Sequence, residues 1–150
     1  VDGANLGIPD QGGDEQFLQR FALQTHGTFN QTSAMKFSLE HQNPFVTGVV
    51  TGTNPSYSEN NYSFLTISDP DILLWALKPA EDGINHGVVT RVWNQANSAR
   101  DYTLSLVPDI LSGQRTTHIE TDIANASIIS GDLSASLAAN QIQTHRLQFR

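Results

Sequence analysis

Cysteine is absent from this sequence of 150 residues. Disulfide bonds, thiolate metal ligands and cysteine nucleophiles are therefore excluded. Because a chain without thiols suits a reducing compartment, we expect a cytoplasmic location. Long hydrophobic runs are missing as well: the longest, 72–77, is far too short to cross a bilayer, and nothing resembles a signal peptide. We expect no membrane association.

Charged residues are scarce, at 15 %, and the net charge at pH 7 is −7. A negative chain repels phosphate backbones, so nucleic-acid binding would need a local basic patch. The eight Lys and Arg residues are scattered singly along the chain. We therefore expect no nucleic-acid partner.

Short strand patterns separated by turn signals dominate the sequence from residue 62 onward, with no long amphipathic helix between them. This spacing predicts an all-β fold, an antiparallel β-sandwich. Earlier in the chain, strands are predicted at 16–24, 34–40 and 45–50, with helix as the alternative for the first two. The later predicted strands are 62–67, 72–77, 88–93, 102–107, 116–123, 127–129, 133–137 and 141–149.

The run 72–77 is apolar on both faces, which predicts a central strand with Trp75 in the core. The segment 78–87 after it contains Pro79 and an Asp-Gly pair, which are typical of a turn. Strands 72–77 and 88–93 are therefore predicted to pair. Arg91 and Glu120 are candidates for an ion pair across strands.

Domain organisation is predicted from turn-rich segments. Residues 1–14 are polar and rich in glycine, so we interpret them as an arm or loop, and 15–150 as one β-sandwich domain. The strongest loop signal, 51–61, is the candidate for an internal seam. Whether residues 1–55 complete a sheet with other sequence is left open. The chain begins with Val1 rather than Met, and we expect a processed or excised piece of a longer protein.

Catalytic groups do not converge in any recognisable motif. The histidines form no zinc-binding pair of the HxH or HExxH type, and no Gly-x-Ser-x-Gly occurs. His118, Glu120 and Asp122 alternate, which favours one solvated face of a strand over a catalytic cluster. A pair of carboxylates from distant strands remains open. We predict no catalytic residue, no metal ligand and no cofactor within these residues.

Exposed aromatic side chains are the candidates for binding, because the C–H face of a sugar ring stacks on a flat ring. Trp93, Tyr57 and Tyr62, together with His26, are the candidate contacts to carbohydrate or to a neighbouring domain. For Trp93, a place in the core is the alternative interpretation.

Three stretches of the sequence resemble the C-terminal region of glycoside hydrolase family 38, the α-mannosidase family. The first combines Leu73–Gly83, with its Lys-Pro and acidic-Gly turn, and Val88–Asn94, with its Arg-x-Trp-Asn strand. The second is Phe17–Gly27, which has Thr25 where the family usually has proline. The third is the closing strand Ala139–Leu147. These matches run in order from about residue 14 to residue 149.

The resemblance implies that this chain is a non-catalytic accessory β-domain. Its partner would be an upstream catalytic domain of the same polypeptide, which would carry a zinc ion, a carboxylate nucleophile and an acid/base residue. None of the motifs of that domain is present, so no catalytic or zinc-binding residue is carried over. Two alternatives stay open: a carbohydrate-binding module with a glycan partner, and a general interaction sandwich of the immunoglobulin type.

Overall fold

Two antiparallel sheets form the body of the protein in a computed structural model that describes residues 20–49 and 62–149. One sheet has the strand order β1-β4-β8-β7, and the other has the order β2-β3-β9-β5-β6. The predicted all-β antiparallel sandwich is confirmed. The strands are β1 Leu65–Ile67, β2 Ile72–Pro79, β3 Val88–Asn94, β4 Arg100–Leu106, β5 Ile110–Thr116, β6 Asp122–Asn125, β7 Ser127–Ile129, β8 Asp132–Leu137 and β9 Ile142–Phe149.

The core lies between the two sheets and follows from the period-two alternation of the strands. Leu104 and Leu133 of the four-stranded sheet are fully buried, as are Val92 and Leu147 of the five-stranded sheet. Burying each such side chain stabilises the fold by roughly 1.5–3 kcal/mol. These four core residues are apolar positions of the strands predicted at 88–93, 102–107, 133–137 and 141–149.

Three polar side chains lie side by side on the inner face of the five-stranded sheet, one each on β3, β9 and β5. Thr90 lies opposite His145 in register, and His145 lies opposite Arg115. Thr90 and His145 are both buried. Burial, aided by repulsion from Arg115, lowers the pKa of His145 from 6.5 to about 4. The imidazole is therefore neutral at pH 7.

The hairpin of β2 and β3 pairs as predicted, with Leu74 opposite Val92 and Pro79 opposite Val88. A short 3-10 turn, Ile84–His86, joins the two strands. The prediction that 72–77 is a central strand is wrong, because β2 is an edge strand. Its apolar residues cover two surfaces: Ile72 faces the core, and Leu73 packs on the outer side near Trp93.

The helix α1, Gln31–Gln42, replaces the strand predicted at 34–40. Asn30 caps it, since its side chain accepts a hydrogen bond from the N–H of Ser33 at 2.7 Å. Most of the strand predicted at 34–40 is built of helix-forming residues (Met, Lys, Leu and Glu), so the cap decides for helix. The strands predicted at 16–24 and 45–50 are not observed in their described parts, 20–24 and 45–49. The predicted arm 1–14 and seam 51–61 lie outside the described residues.

The strand predicted at 116–123 is also wrong. A turn closes there, in which the N–H of Thr117 donates to the carbonyl of Thr121 at 2.9 Å, and Glu120 has a φ of 66°. His118 and Glu120 thus lie in a turn, not on one face of a strand. The strand β5 before this turn was missed, because Gly113 and its polar neighbours give no alternating apolar signal. Gly113 fits there by packing its backbone against Leu147.

After this turn the chain changes sheets at a single residue. Ala126 stands between β6 of one sheet and β7 of the other, and its N–H donates to the carbonyl of Gly113 at 2.9 Å. This bent segment closes one side of the sandwich. In the part of the chain described, no helix combines the length and the hydrophobicity that crossing a membrane requires.

Candidate ligand groove

Trp75 projects from a β-bulge in the edge strand β2. The register moves from Leu74 opposite Val92 to Ala76 opposite Arg91, so Trp75 is the extra residue. Bulges of this kind redirect a side chain out of the regular pleat. Trp75 is 46 % exposed. The prediction that it belongs to the core is wrong, because the bulge turns it to the outer face of the five-stranded sheet.

Trp93 supports Trp75 from the neighbouring strand. The two rings meet edge to face, with centroids 5.4 Å apart and an interplanar angle of 88°. The indole N–H of Trp93 donates to the carbonyl of Asn140 at 3.3 Å. Such aromatic pairs contribute about 0.5–1.5 kcal/mol beyond the area they bury. The half-buried Trp93 therefore fixes the position of the exposed ring.

Arg91 lies on the same outer face, directly opposite Thr144 of β9. Its Nε donates to Oγ1 of Thr144 at 3.1 Å, and its Nη2 donates to the carbonyl oxygen of His118 at 2.7 Å. The predicted pair of Arg91 with Glu120 is wrong. The side chain of Arg91 instead binds the backbone of the turn 117–121 at the carbonyl of His118. Glu120 has a different cationic partner.

That partner is Lys78 of β2. Lys78 Nζ donates to Oε1 of Glu120, while Oε2 accepts from the N–H of Glu81 at 2.8 Å. The hydrogen bond from Lys78 is the largest cause that lowers the pKa of Glu120, and the hydrogen bond from the N–H of Glu81 is the second. The hydrogen bond between Lys78 and Glu120 also raises the pKa of Lys78. Arg146 fixes the far side of the turn through two hydrogen bonds to Asp122, at 2.7 and 2.9 Å. The turn 117–121 is thereby held over the outer face.

The exposed tryptophan, the arginine and the turn enclose a groove of about 580 Å³. This volume is within the range of small-molecule sites, roughly 300–1,000 Å³. The groove offers one aromatic wall, two further apolar side chains, and hydroxyl, amide, imidazole and guanidinium groups. Its lining includes Trp75, Arg91, His118, Ile123, Gln141, Ile142 and Thr144.

The residues predicted for binding are only partly related to this groove. Trp93 contacts its aromatic wall but does not line it. Tyr62 is 55 % exposed at the start of the described sandwich, and His26 makes an edge contact with Phe29 before α1. Neither lines the groove, and Tyr57 lies outside the described residues. Whether any of these residues binds a ligand stays a prediction.

Sequence reasoning missed the central part of the groove. Trp75 was assigned to the core because its neighbours are all apolar, and a bulge depends on a partner strand that the local sequence does not show. The turn 117–121 carries only a weak signal: Oγ1 of Thr117 accepts from the N–H of Thr121 at 3.1 Å, but threonine generally favours strands. Among the described residues, no cluster of three or more His, Asp or Glu side chains could hold a metal ion.

A protein-family model described as the glycosyl hydrolases family 38 C-terminal beta sandwich domain matches residues 71–145, which is half of the chain. The chain belongs to this family. The match covers β2 to β8 and the first half of β9, so it includes every residue that lines the groove. The resemblance to the C-terminal region of the family is thereby confirmed over 71–145, and the stretch Phe17–Gly27 lies outside the match. No match was found among curated proteins.

Proposed function

We propose that this member of the family is the non-catalytic accessory sandwich of an α-mannosidase-like enzyme, and that it packs against and stabilises an upstream catalytic domain. The observation that carries the proposal is the exposure of large apolar side chains in residues 20–49. Phe21, Leu23, Phe45, Val46 and Val49 are between 84 and 99 % exposed. In the proposal, these side chains become buried against the partner domain, as the apolar surface of an interaction site is.

The segment with these side chains is attached to the sandwich by polar contacts near the start of α1. Thr32 donates to Oδ1 of Asp71 at 2.6 Å, and Arg100 donates to Oδ2 of the same carboxylate at 3.1 Å. These contacts attach the N-terminal end of α1 to the sandwich. A catalytic domain packed on the exposed apolar side chains would bury this apolar area, which stabilises both domains.

The catalytic chemistry belongs, in this proposal, to the partner domain. A zinc ion and the catalytic carboxylates would lie there, and the described residues of this chain offer no site that fits a metal. Hydrolysis of α-mannosides is the proposed activity of the whole enzyme. The cytoplasm is the proposed location, since a chain without cysteine suits a reducing compartment.

The proposal is tested by comparing the 150-residue chain with the complete polypeptide on a chromogenic α-mannoside. Only the complete polypeptide is expected to turn the substrate over. In that polypeptide, Phe45→Ser with Val46→Ser should lower the temperature at which activity is lost. Ile84→Ser is the control, because Ile84 is an exposed apolar residue (57 %) in the 3-10 turn of the sandwich, away from α1. Turnover by the short chain, or equal effects of the two changes, would refute the proposal.

A second candidate role is binding of a glycan, which the groove favours through its firmly supported aromatic wall. Saturable binding of mannose oligosaccharides to the 150-residue chain, lost in Trp75→Ala with the fold intact, is the expected result. Calorimetric titration measures it, and circular dichroism checks the fold.

A further inference from the structure

The cations of the sandwich divide into two groups. Lys78, Arg100 and Arg146 each form an ion pair with a carboxylate. Arg91 lines the groove and has no ion pair among the residues that the structure describes. Arg115 also borders the groove, but its side chain lies beside His145 on the inner face of the sheet. Within 20–49 and 62–149, no Asp or Glu lines the groove, although the chain carries a net charge of −7. The groove is thus a local site of positive charge on an acidic protein.

We propose that this groove binds a pyranose that carries one anionic substituent, either a carboxylate or a phosphate. The inference rests on the second candidate role, glycan binding, and adds the chemical class of the glycan. Arg91 would bind the anion, and Trp75 would stack on the C–H face of the ring.

The hydrogen bonds of Arg91 preorganise its guanidinium group for binding an anion. Thr144 and the carbonyl of His118 accept from its Nε and Nη2, and both acceptors are uncharged. The guanidinium therefore keeps its full charge while its plane is fixed. A guanidinium has five N–H donors in a planar fork that suits carboxylate and phosphate oxygens, so donors remain for a ligand.

Trp75 supplies a rigid surface rather than a flexible one. Its ring stands at 88° to that of Trp93, which is itself tied to the backbone of Asn140. Because the ring is already fixed, little side-chain entropy is lost when a sugar stacks on it. Gln141 and His118, both exposed at the rim, add donors and acceptors for hydroxyl groups.

The shape of the site favours a small ligand over a neighbouring domain. A concave groove of about 580 Å³ has the size of a small-molecule site. Contacts between domains are instead extended, roughly 600–1,500 Å². None of the residues lining the groove comes from the apolar segment 20–49, so the two surfaces are separate.

Titration of the 150-residue chain with four probes tests the proposal: glucuronic acid, mannose 6-phosphate, mannose and inorganic phosphate. One or both acidic sugars are expected to bind at least about 10-fold more tightly than mannose, as a charged hydrogen bond provides. The comparison of the two acids identifies carboxylate or phosphate as the preferred group. Inorganic phosphate alone should bind more weakly than the sugar phosphate, because it does not contact Trp75.

Variants locate the site. Arg91→Gln should weaken binding of the acidic sugar roughly 10- to 100-fold, and Trp75→Ala should weaken both acidic and neutral sugars. Lys36→Gln removes the same charge from α1, outside the groove, and should change nothing. Melting temperatures show whether Arg91→Gln still folds, and Trp75→Ala provides an independent answer if it does not.

Equal binding of mannose and the acidic sugars would overturn the anionic specificity while leaving glycan binding intact. Binding of no sugar at all would overturn both. Binding that survives Arg91→Gln and Trp75→Ala would place the site elsewhere and overturn the assignment to the groove. None of these results changes the expected packing on a catalytic domain, because that is tested through Phe45 and Val46.

Discussion

Lys78 and Glu120 are 42 residues apart in sequence and form an ion pair over the outer face of the five-stranded sheet. The carboxylate also accepts the N–H of Glu81, so the turn 117–121 is joined to the hairpin of β2 and β3. The Glu120 side chain thereby connects the turn after β5 with the edge strand β2, across the outer face on which the groove lies.

Replacing Glu120 with Gln should lower the melting temperature and loosen this turn. Because the pKa of Glu120 is lowered from 4.5, its contribution is present above that pH and is lost as the pH falls through the folded-state pKa. The difference between wild type and Glu120→Gln should therefore be constant near pH 7 and shrink in acid. Thermal unfolding at several pH values measures it.

Glu81→Gln is the matched control, because Glu81 is the exposed second partner of Lys78 and its side chain is 84 % accessible. Its effect should be much smaller. Equal losses of stability in the two variants would show that the Glu120 carboxylate contributes no more to stability than the exposed Glu81 carboxylate.

Gly87 is expected to be far less tolerant of alanine than Gly83. Both combine a positive φ, 108° and 104°, with an extended ψ, a conformation that costs a residue with a side chain about 1–3 kcal/mol. At Gly87 an added Cβ would also overlap the carbonyl oxygen of Leu147, whereas at Gly83 it meets open space. Gly83→Ala should therefore lower the free energy of unfolding by about 1–3 kcal/mol, and Gly87→Ala should lower it by clearly more because the overlap with Leu147 is added. Denaturant unfolding compares them, and similar losses would contradict the packing at β9.

His145 should make the sandwich less stable in mild acid. Its pKa is lowered from 6.5 to about 4 in the folded state, so the unfolded chain takes up a proton first. Stability is full above pH 6.5, falls as the pH drops from 6.5 to 4, and has then lost roughly 3 kcal/mol. His145→Gln should flatten this slope, while His118→Gln, at an exposed position in the turn, should keep it. A slope unchanged in His145→Gln would rule out this residue as the cause.

Thr32 is expected to control the attachment of α1. Thr32→Val removes the hydrogen bond to the Asp71 carboxylate, and a hydrogen bond to a charged group is worth about 1.5–3 kcal/mol. Hydrogen exchange should become faster throughout α1 and stay unchanged in β3 and β9. Ser33→Ala, at the exposed next position, is the control. Faster exchange in the core strands as well would mean that α1 supports the whole sandwich.

Much of the sandwich was predictable because local patterns and long-range packing agree. The alternation of Leu104 and Leu106 gave β4, and the Asp-Gly turn gave the hairpin of β2 and β3. Where the two disagree, prediction failed. The strand β5 has Gly113 where an apolar signal is needed, and that glycine is explained only by the nearness of Leu147.

The groove was harder to predict than the fold for the same reason. The apolar neighbours of Trp75 in the sequence predict a place in the core. Only the register between β2 and β3 shows that Trp75 is the extra residue of a bulge. Arg91 was recognised as a charge that needs a partner, but Glu120 lies in a turn that brings it to Lys78. Ion pairs between distant segments depend on the backbone path, which a sequence pattern does not give.

The bulge at Trp75 and the proline at position 79 have a further consequence for self-association. Both lie on β2, the free edge of the five-stranded sheet, where unpaired N–H and C=O groups invite a strand from another molecule. Pro79 has no N–H to offer, and the bulge breaks the regular spacing of the others. At the opposite edge the chain leaves β6 and bends into the second sheet at Ala126. The bulge and the proline therefore protect the β2 edge of the five-stranded sheet against edge-to-edge aggregation.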